Sequence, residues 1–213
     1  MSASSSTNQA FLMSQVSLTS PAPLTKAESR RSLGAAARSS VVATGLQERE
    51  IAALAGIQSL TSSPGAQRGA LILSHLGEHA LAWIAIGLIG AAGDPARRRP
   101  WLRATATVVG AHGLSIVVKR VVRRRRPSDP RIQVLVDTPG DLSFPSSHAA
   151  STTAAAVAYS RLLGRRYPLV AIPVMMTSRV VLGVHYPSDV LAGSLLGAVM
   201  GHWFTQPRNT SPA

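Results

Sequence analysis

The residues best suited to chemistry lie in three short stretches. The first, "KRVVRRRRP" at 119–127, sets Lys119 and Arg126 seven positions apart. On a helix that is about two turns, so an ammonium and a guanidinium can face one anion before Pro127 stops the helix. The same run also reads as a solvated positive cluster at a membrane boundary or as a nucleic-acid patch. Flanking apolar spans and the lack of interleaved aromatics weigh against nucleic acid. The second stretch, "PSSH" at 145–148, is a good helix start, and capping by Ser146 or Ser147 explains it without further purpose. A helix N-terminus also exposes unpaired N–H groups of partial positive charge, which together with two hydroxyls make a phosphate cradle. His148 in that first turn can protonate a departing oxygen. The third stretch, "SRVVLGVHYPSD" at 178–189, buries Arg179 in an apolar run, where a charge needs an anionic partner, a polar cavity or a boundary. Pro187 keeps His185 just ahead of the next helix, and Asp189 falls in that helix's first turn. A carboxylate four positions on can hold one imidazole nitrogen and leave the other as a nucleophile or base.

Five apolar stretches must position these residues, at about 69–92, 101–118, 147–163, 167–184 and 187–204. Each is near the ~20 residues that cross a hydrocarbon core. Small residues recur at four-residue steps, as in Gly193 with Gly197, where membrane helices pack closely. If the five spans alternate, all three chemical stretches fall at one face. The expected fold is therefore all-α: a polytopic membrane helix bundle of about five transmembrane helices with a disordered N-terminal tail.

The tail is expected over 1–47, a Ser-, Ala- and Thr-rich stretch with Glu28 as its one acid. It lacks the compact apolar region and cleavage site of a secretory signal. A short amphipathic helix at the membrane interface is predicted over 48–62, with Ile51, Leu54, Ala55 and Gln58 at three-to-four spacing. The membrane-embedded domain follows over 65–205, then a C-terminal tail over 206–213.

Composition agrees with a membrane bundle. Hydrophobic residues make up 46% of the chain but aromatics only 4%, so the apolar mass is aliphatic and small. The +13 formal charge, 22 Lys and Arg against nine acids, points to anionic partners. With no cysteine, disulfides, thiolate metal sites and cysteine nucleophiles are all excluded.

Lys119 to Arg126-Pro127, Pro145-Ser146-Ser147-His148, and Ser178-Arg179 to His185 and Asp189 together resemble the three-part signature of the type 2 phosphatidic acid phosphatase family, which includes bacterial acid phosphatases and vanadium haloperoxidases. Order and spacing agree across 119–189, and the surrounding spans extend the likeness over roughly 65–205. One departure is Ser147, where the family usually has Gly. The resemblance implies a phosphohydrolase with no metal and no cofactor. Lys119, Arg126 and Arg179 would neutralise the phosphoryl oxygens, with Ser146, Ser147 and local amides completing the cradle. His185 would attack phosphorus, Asp189 would orient it, and His148 would protonate the leaving alcohol and then activate water.

A membrane-embedded core implies a lipid-linked phosphate as substrate, held among membrane lipids in the bacterial plasma membrane, with no nucleic-acid partner. "SHLGEHALAW", "FPSSHAAS" and "HYPSDVLAG" are most similar to a small bacterial branch that dephosphorylates decaprenylphosphoryl-5-phosphoribose for cell-wall arabinan. Undecaprenyl pyrophosphate and phosphatidic acid stay open as substrates. A non-catalytic membrane protein binding anionic lipid is the rival of a different class. His75, Glu78, His79 and His112 allow a metal site, but the family needs none, which favours polar contacts between helices or to a headgroup; His202 reads as interfacial. Arg97, Arg98, Arg99, Arg161, Arg165 and Arg166 make the far face as basic as the chemical one, so charge does not orient the bundle.

Overall fold

A computed structural model describes residues 44–206. The expected tails therefore fall mostly outside the described residues, which include neither 1–43 nor 207–213, nor the side chain of His79. The described residues are helical: α1 over 44–60, α2 (Pro64–Leu76), α3 (Leu81–Gly93), α4 (Arg98–Val122), α5 (Ser147–Leu163), α6 (Ala171–Val181) and α7 (Pro187–Phe204), with short 3-10 turns before α3, α4 and α6. Among them the extended pairing is one isolated bridge, Arg125 with Leu142.

The third and fifth apolar stretches have the predicted ends, because each opens on strong local chemistry. Ser146 caps α5, its hydroxyl accepting from the Ala149 amide at 3.4 Å. At α7, Pro187 takes the first helical position, and the Asp189 carboxylate reaches back to the Tyr186 amide at 2.9 Å. α7 then lies against α5 along a ladder of glycines. A Cβ at Gly193 would stand 2.4 Å from the Ser146 carbonyl oxygen, and one at Gly197 2.2 Å from that of Ala150. Only glycine permits that backbone approach, which fills the role expected of the four-residue spacing.

The other stretches differ from expectation. The segment 69–92 is not one helix: it breaks at 77–80 and bends by 58° between α2 and α3. Ala80 at the break is left-handed, with φ of 60°, a conformation that costs a non-glycine residue about 1–2 kcal/mol and that no uniform apolar pattern predicts. The fourth stretch opens with the 3-10 turn Tyr167–Val170, leaving α6 eleven residues. Only Pro95–Val122 among the described residues is long and apolar enough to cross a membrane by itself; the bent pair Pro64–Leu76 and Leu81–Gly93 makes a second if counted as one span. Five separate crossings are thus more than the helix lengths establish. The helix predicted from 48 is already formed at 44, and its apolar face packs on protein: Ile51 and Leu54 join Ile132, Val180, Tyr186 and Val190 in one buried cluster.

Candidate active site

Several elements meet at one end of the bundle: the end of α2 with the turn after it, the end of α4, the loop 123–146, the start of α5, and the end of α6 with the turn before α7. They enclose a cavity of about 460 Å³ whose wall includes Lys119, Arg126, Ser147, His148, Arg179 and His185. The three sequence stretches do converge. Ser146 and Asp189, also predicted, stand behind the wall, both fully buried. The Ser146 hydroxyl is spent on capping α5 rather than on the cavity.

Lys119 and Arg126 reach the cavity by a different route from the one predicted. α4 ends at Val122, and Arg123 turns left-handed with φ of 55°. Arg126 therefore sits on extended chain, not two turns along a helix. There its amide donates to the Asp141 carbonyl at 2.9 Å, while the Ser143 amide donates to that of Arg124 at 2.8 Å. Four adjacent guanidinium groups crowd one another on a helix end, and this loop pairing satisfies the backbone while sending alternate side chains opposite ways. Lys119 Nζ donates to the carbonyls of Leu142 and Ser143 at 3.1 and 3.2 Å. Arg126 donates to the carbonyls of Gly140 and Val184, each at 2.8 Å. Arg179 is 2% exposed and donates to the Ser74 hydroxyl at 2.8 Å, while its Nε has no partner among the described residues. A buried guanidinium left part-satisfied demands an anion.

His148 and His185 each have one ring nitrogen close to a fixed polar group. The His185 ring is 2% exposed, and Arg126 Nη1 points at its Nε2 from 3.4 Å. A guanidinium only donates, so this contact favours a lone pair on Nε2 facing the cavity; Nδ1 lies 3.6 Å from Asp189 Oδ2, too far for a hydrogen bond, and has no partner among the described residues. Burial first, and then the charges of Arg126, Arg179 and Lys119, hold this imidazole well below its ordinary range, so it is neutral. His148 Nε2 lies 3.1 Å from the Ser74 carbonyl. A carbonyl only accepts, so Nε2 carries hydrogen and Nδ1 is left to exchange a proton. Ser147 adopts none of the left-handed conformations found at Ala80, Arg123, Gly164 and Gly183, so serine sits there without backbone strain. Its hydroxyl accepts from Ser115, itself fully buried, at 2.8 Å.

Three parts of the site escaped sequence reasoning. Ser74 of α2 binds both Arg179 and His148. Gly77, at the break, is packed so tightly that a Cβ would lie 2.6 Å from His148 and 3.0 Å from Met175. Arg124 donates to Asp189 Oδ1 at 2.9 Å and to the Ser188 hydroxyl at 2.6 Å. In an unbroken Arg run only the fold tells which member turns inward. His75, Glu78 and His112 line the same cavity, and no three His, Cys, Asp or Glu among the described residues are grouped to hold a metal.

A second, apolar cavity of about 240 Å³ adjoins the first, lined by Leu73, Trp83, Ile86, Thr152, Val174 and Met175 among others. Thr152 is one turn along α5 from His148, and Met175 one turn back along α6 from Arg179. Leu73 neighbours Ser74. The two cavities are thus lined by residues about one helical turn apart along α5 and α6, and the apolar one opens outward at Leu76, Ile86 and Val174.

Residues 100–212 match the PAP2 superfamily. The chain is 50% identical over 153 residues, 71% of its length and 86% of the relative's, to decaprenylphosphoryl-5-phosphoribose phosphatase of Mycobacterium tuberculosis strain H37Rv. It is 51% identical over 145 residues to the protein of that name from Mycolicibacterium smegmatis, covering 68% and 81% of the two chains. Its fold is similar to that of a PAP2 type phosphatidylglycerolphosphate phosphatase from Bacillus subtilis, with a TM-score of 0.64 at 24% identity, covering 75% of this chain and 84% of that one. The chain belongs to the PAP2 superfamily.

Proposed function

We propose that the chain is an integral-membrane lipid phosphate phosphatase that hydrolyses a phosphomonoester through a phosphohistidine, with decaprenylphosphoryl-5-phosphoribose as its substrate. The observation that carries the reading is the convergence of two imidazoles, His148 and His185, on one cavity wall with the cations Lys119, Arg126 and Arg179. Arg126, Lys119 and Arg179 neutralise the phosphoryl oxygens as charge shifts in the transition state. His185 Nε2 attacks phosphorus while the phosphorus–oxygen bond to the sugar breaks. His148, entering the step protonated on both nitrogens, gives its Nδ1 proton to the leaving oxygen and keeps Nε2–H on the Ser74 carbonyl. Water then attacks the phosphorylated His185, losing its proton to His148, and inorganic phosphate departs. Asp189, behind the ring, steadies the cationic phosphoimidazole.

The apolar cavity, lined by Leu73, Thr152 and Met175 and open at Leu76, Ile86 and Val174, suits the hydrocarbon part of a lipid. Outside, Leu88, Ile89, Val117, Leu191, Leu195 and Trp203 are exposed, as on a bundle whose solvent is lipid. This supports a multi-pass arrangement of five crossings, with α2 and α3 together as the first. The two mycobacterial relatives bear the substrate's name, which favours the phosphoribose lipid over undecaprenyl pyrophosphate or phosphatidic acid. The test is phosphate release by protein purified in detergent, with EDTA present, from those three lipids. Preference for the phosphoribose lipid, with vanadate inhibition, is expected. Equal turnover of phosphatidic acid would leave the phosphatase and remove the substrate assignment.

A further inference from the structure

The catalytic carboxylate is held from a part of the chain that the family match does not reach. Asp189 is fully buried, and both its oxygens are occupied on the side away from the cavity: Oδ2 by the Tyr186 amide at 2.9 Å and Oδ1 by Arg124 Nη1 at 2.9 Å. Arg124 is itself fixed on three sides. Its guanidinium lies over the Tyr186 ring, 4.0 Å from the centroid, its Nη1 donates to the Ser188 hydroxyl, and its Nη2 pairs with Glu50 Oε2. The other oxygen of Glu50 accepts the Ser188 amide at 3.1 Å. A carboxylate of α1 therefore grips both Arg124 and the first turn of α7, next to Asp189.

Charge alternates along this chain of contacts: Glu50, Arg124, Asp189, His185. The alternation matters because Asp189 serves two cations during turnover, Arg124 permanently and the phosphorylated ring of His185 transiently. Without Glu50 the full charge of Arg124 falls on Asp189, which then steadies the ring less. Sequence reasoning left Glu50 and Arg124 without a role, and the PAP2 match begins only at residue 100.

We propose that Glu50 of α1, acting through Arg124, is a positioning residue for the Asp189–His185 pair, so that α1 is part of the catalytic apparatus. The proposal rests on the phosphohistidine reading of the site. It is separable from simple docking, because α1 has other anchors: Gln58 bonds the Gln133 and Val181 carbonyls at 2.7 and 2.9 Å and accepts the Gln133 amide at 3.0 Å, and Glu48 pairs with Arg131 at 2.6 Å.

The experiment compares full-length wild type, Glu50→Gln, Gln58→Ala and the charge swap Glu50→Arg with Arg124→Glu, all in detergent, on the lipid phosphate and on p-nitrophenyl phosphate. Glu50→Gln should lower kcat about tenfold to a hundredfold on both substrates, within the range for lost supporting contacts, with KM within about twofold and slower phosphohistidine formation. Gln58→Ala should stay within about twofold of wild type. The swap restores the contact between α1 and residue 124 but sets a glutamate against Asp189, so it should not recover kcat. Wild-type kcat in Glu50→Gln, an equal loss in Gln58→Ala, or rescue by the swap would each overturn the proposal. Inactivity of the wild type on every monoester would instead sink the phosphatase reading on which it rests.

Discussion

Both ends of the bundle are rich in arginine, yet they handle it in opposite ways. α4 separates them by its 25 residues, about 37 Å. At the cavity end, Arg126 and Arg179 are drawn into the protein, tied to neutral carbonyls and a hydroxyl, and left short of negative charge. At the far end, Arg97 pairs with Asp94 at 2.6 Å with half its side chain exposed, and Arg161 reaches His202 at 2.7 Å. Arg98, Arg99, Arg165 and Arg166 are exposed as well. Counting charge cannot tell such ends apart, whereas asking what each guanidinium is bonded to separates them at once. A cation held by neutral acceptors in a cavity is waiting for an anion; a solvated one is not.

The sharpest break of this contrast comes from the imidazoles. His185→Ala should abolish phosphate release, by about 10⁴-fold or more, as for other nucleophile deletions. His148→Ala should cost about 10²–10⁴-fold. Both are read as phosphate release at saturating substrate, and substantial residual turnover in either would dissolve the assigned roles. Arg179→Ala removes a buried donor and should lower kcat about 10²–10³-fold. Its far-end counterpart, Arg161→Ala, belongs at the bottom of the scale, with activity within about twofold and stability changed by no more than about 1 kcal/mol.

Between these extremes lies the apolar cavity. Val174→Trp should fill it and reduce kcat/KM for the long-chain substrate about tenfold, the equivalent of about two buried methylenes. Turnover of p-nitrophenyl phosphate should be unaffected, and equal losses on both would remove the cavity from substrate binding. A smaller signal is expected from pH. The folded protein keeps His185 neutral, whereas the unfolded chain protonates it near pH 6.5. Below that value the unfolded state therefore binds the extra proton, and stability falls as pH drops and is fully present above it. The melting temperature should decline from about pH 7 to pH 5. His185→Ala should flatten the same curve.

Much of the site was legible in the sequence because its residues obey local rules. Pro187 and Asp189 start a helix by fixing φ and capping an amide, and that places His185 one residue before Tyr186 whatever the rest of the chain does. Pro145 and Ser146 do the same for His148. The glycine spacing at 193 and 197 predicts close packing, and the structure uses it against α5. What stayed hidden depends on long-range contact. Nothing local distinguishes Arg124 from Arg126, because the difference lies in Glu50 and Asp189, 74 and 65 positions away. The glycine at 77, where the helix breaks, is required by the nearness of His148, which no apolar pattern records. The spacing of Ile51, Leu54, Ala55 and Gln58 marks one face of α1, and that face packs on Ile132, Val180, Tyr186 and Val190, partners left open by the sequence, since amphipathic spacing identifies a buried face without naming what covers it.

Gly193, Gly197 and Gly201 let the main chains of α7 and α5 rest directly on each other. The span between His148 on one helix and Asp189 on the other is then set by peptide against peptide, with no compressible side-chain layer in between. Such a joint resists lateral squeezing. Changes in bilayer thickness or in detergent should alter how readily a lipid enters, seen in KM, while the rate of the bond-breaking step stays nearly constant.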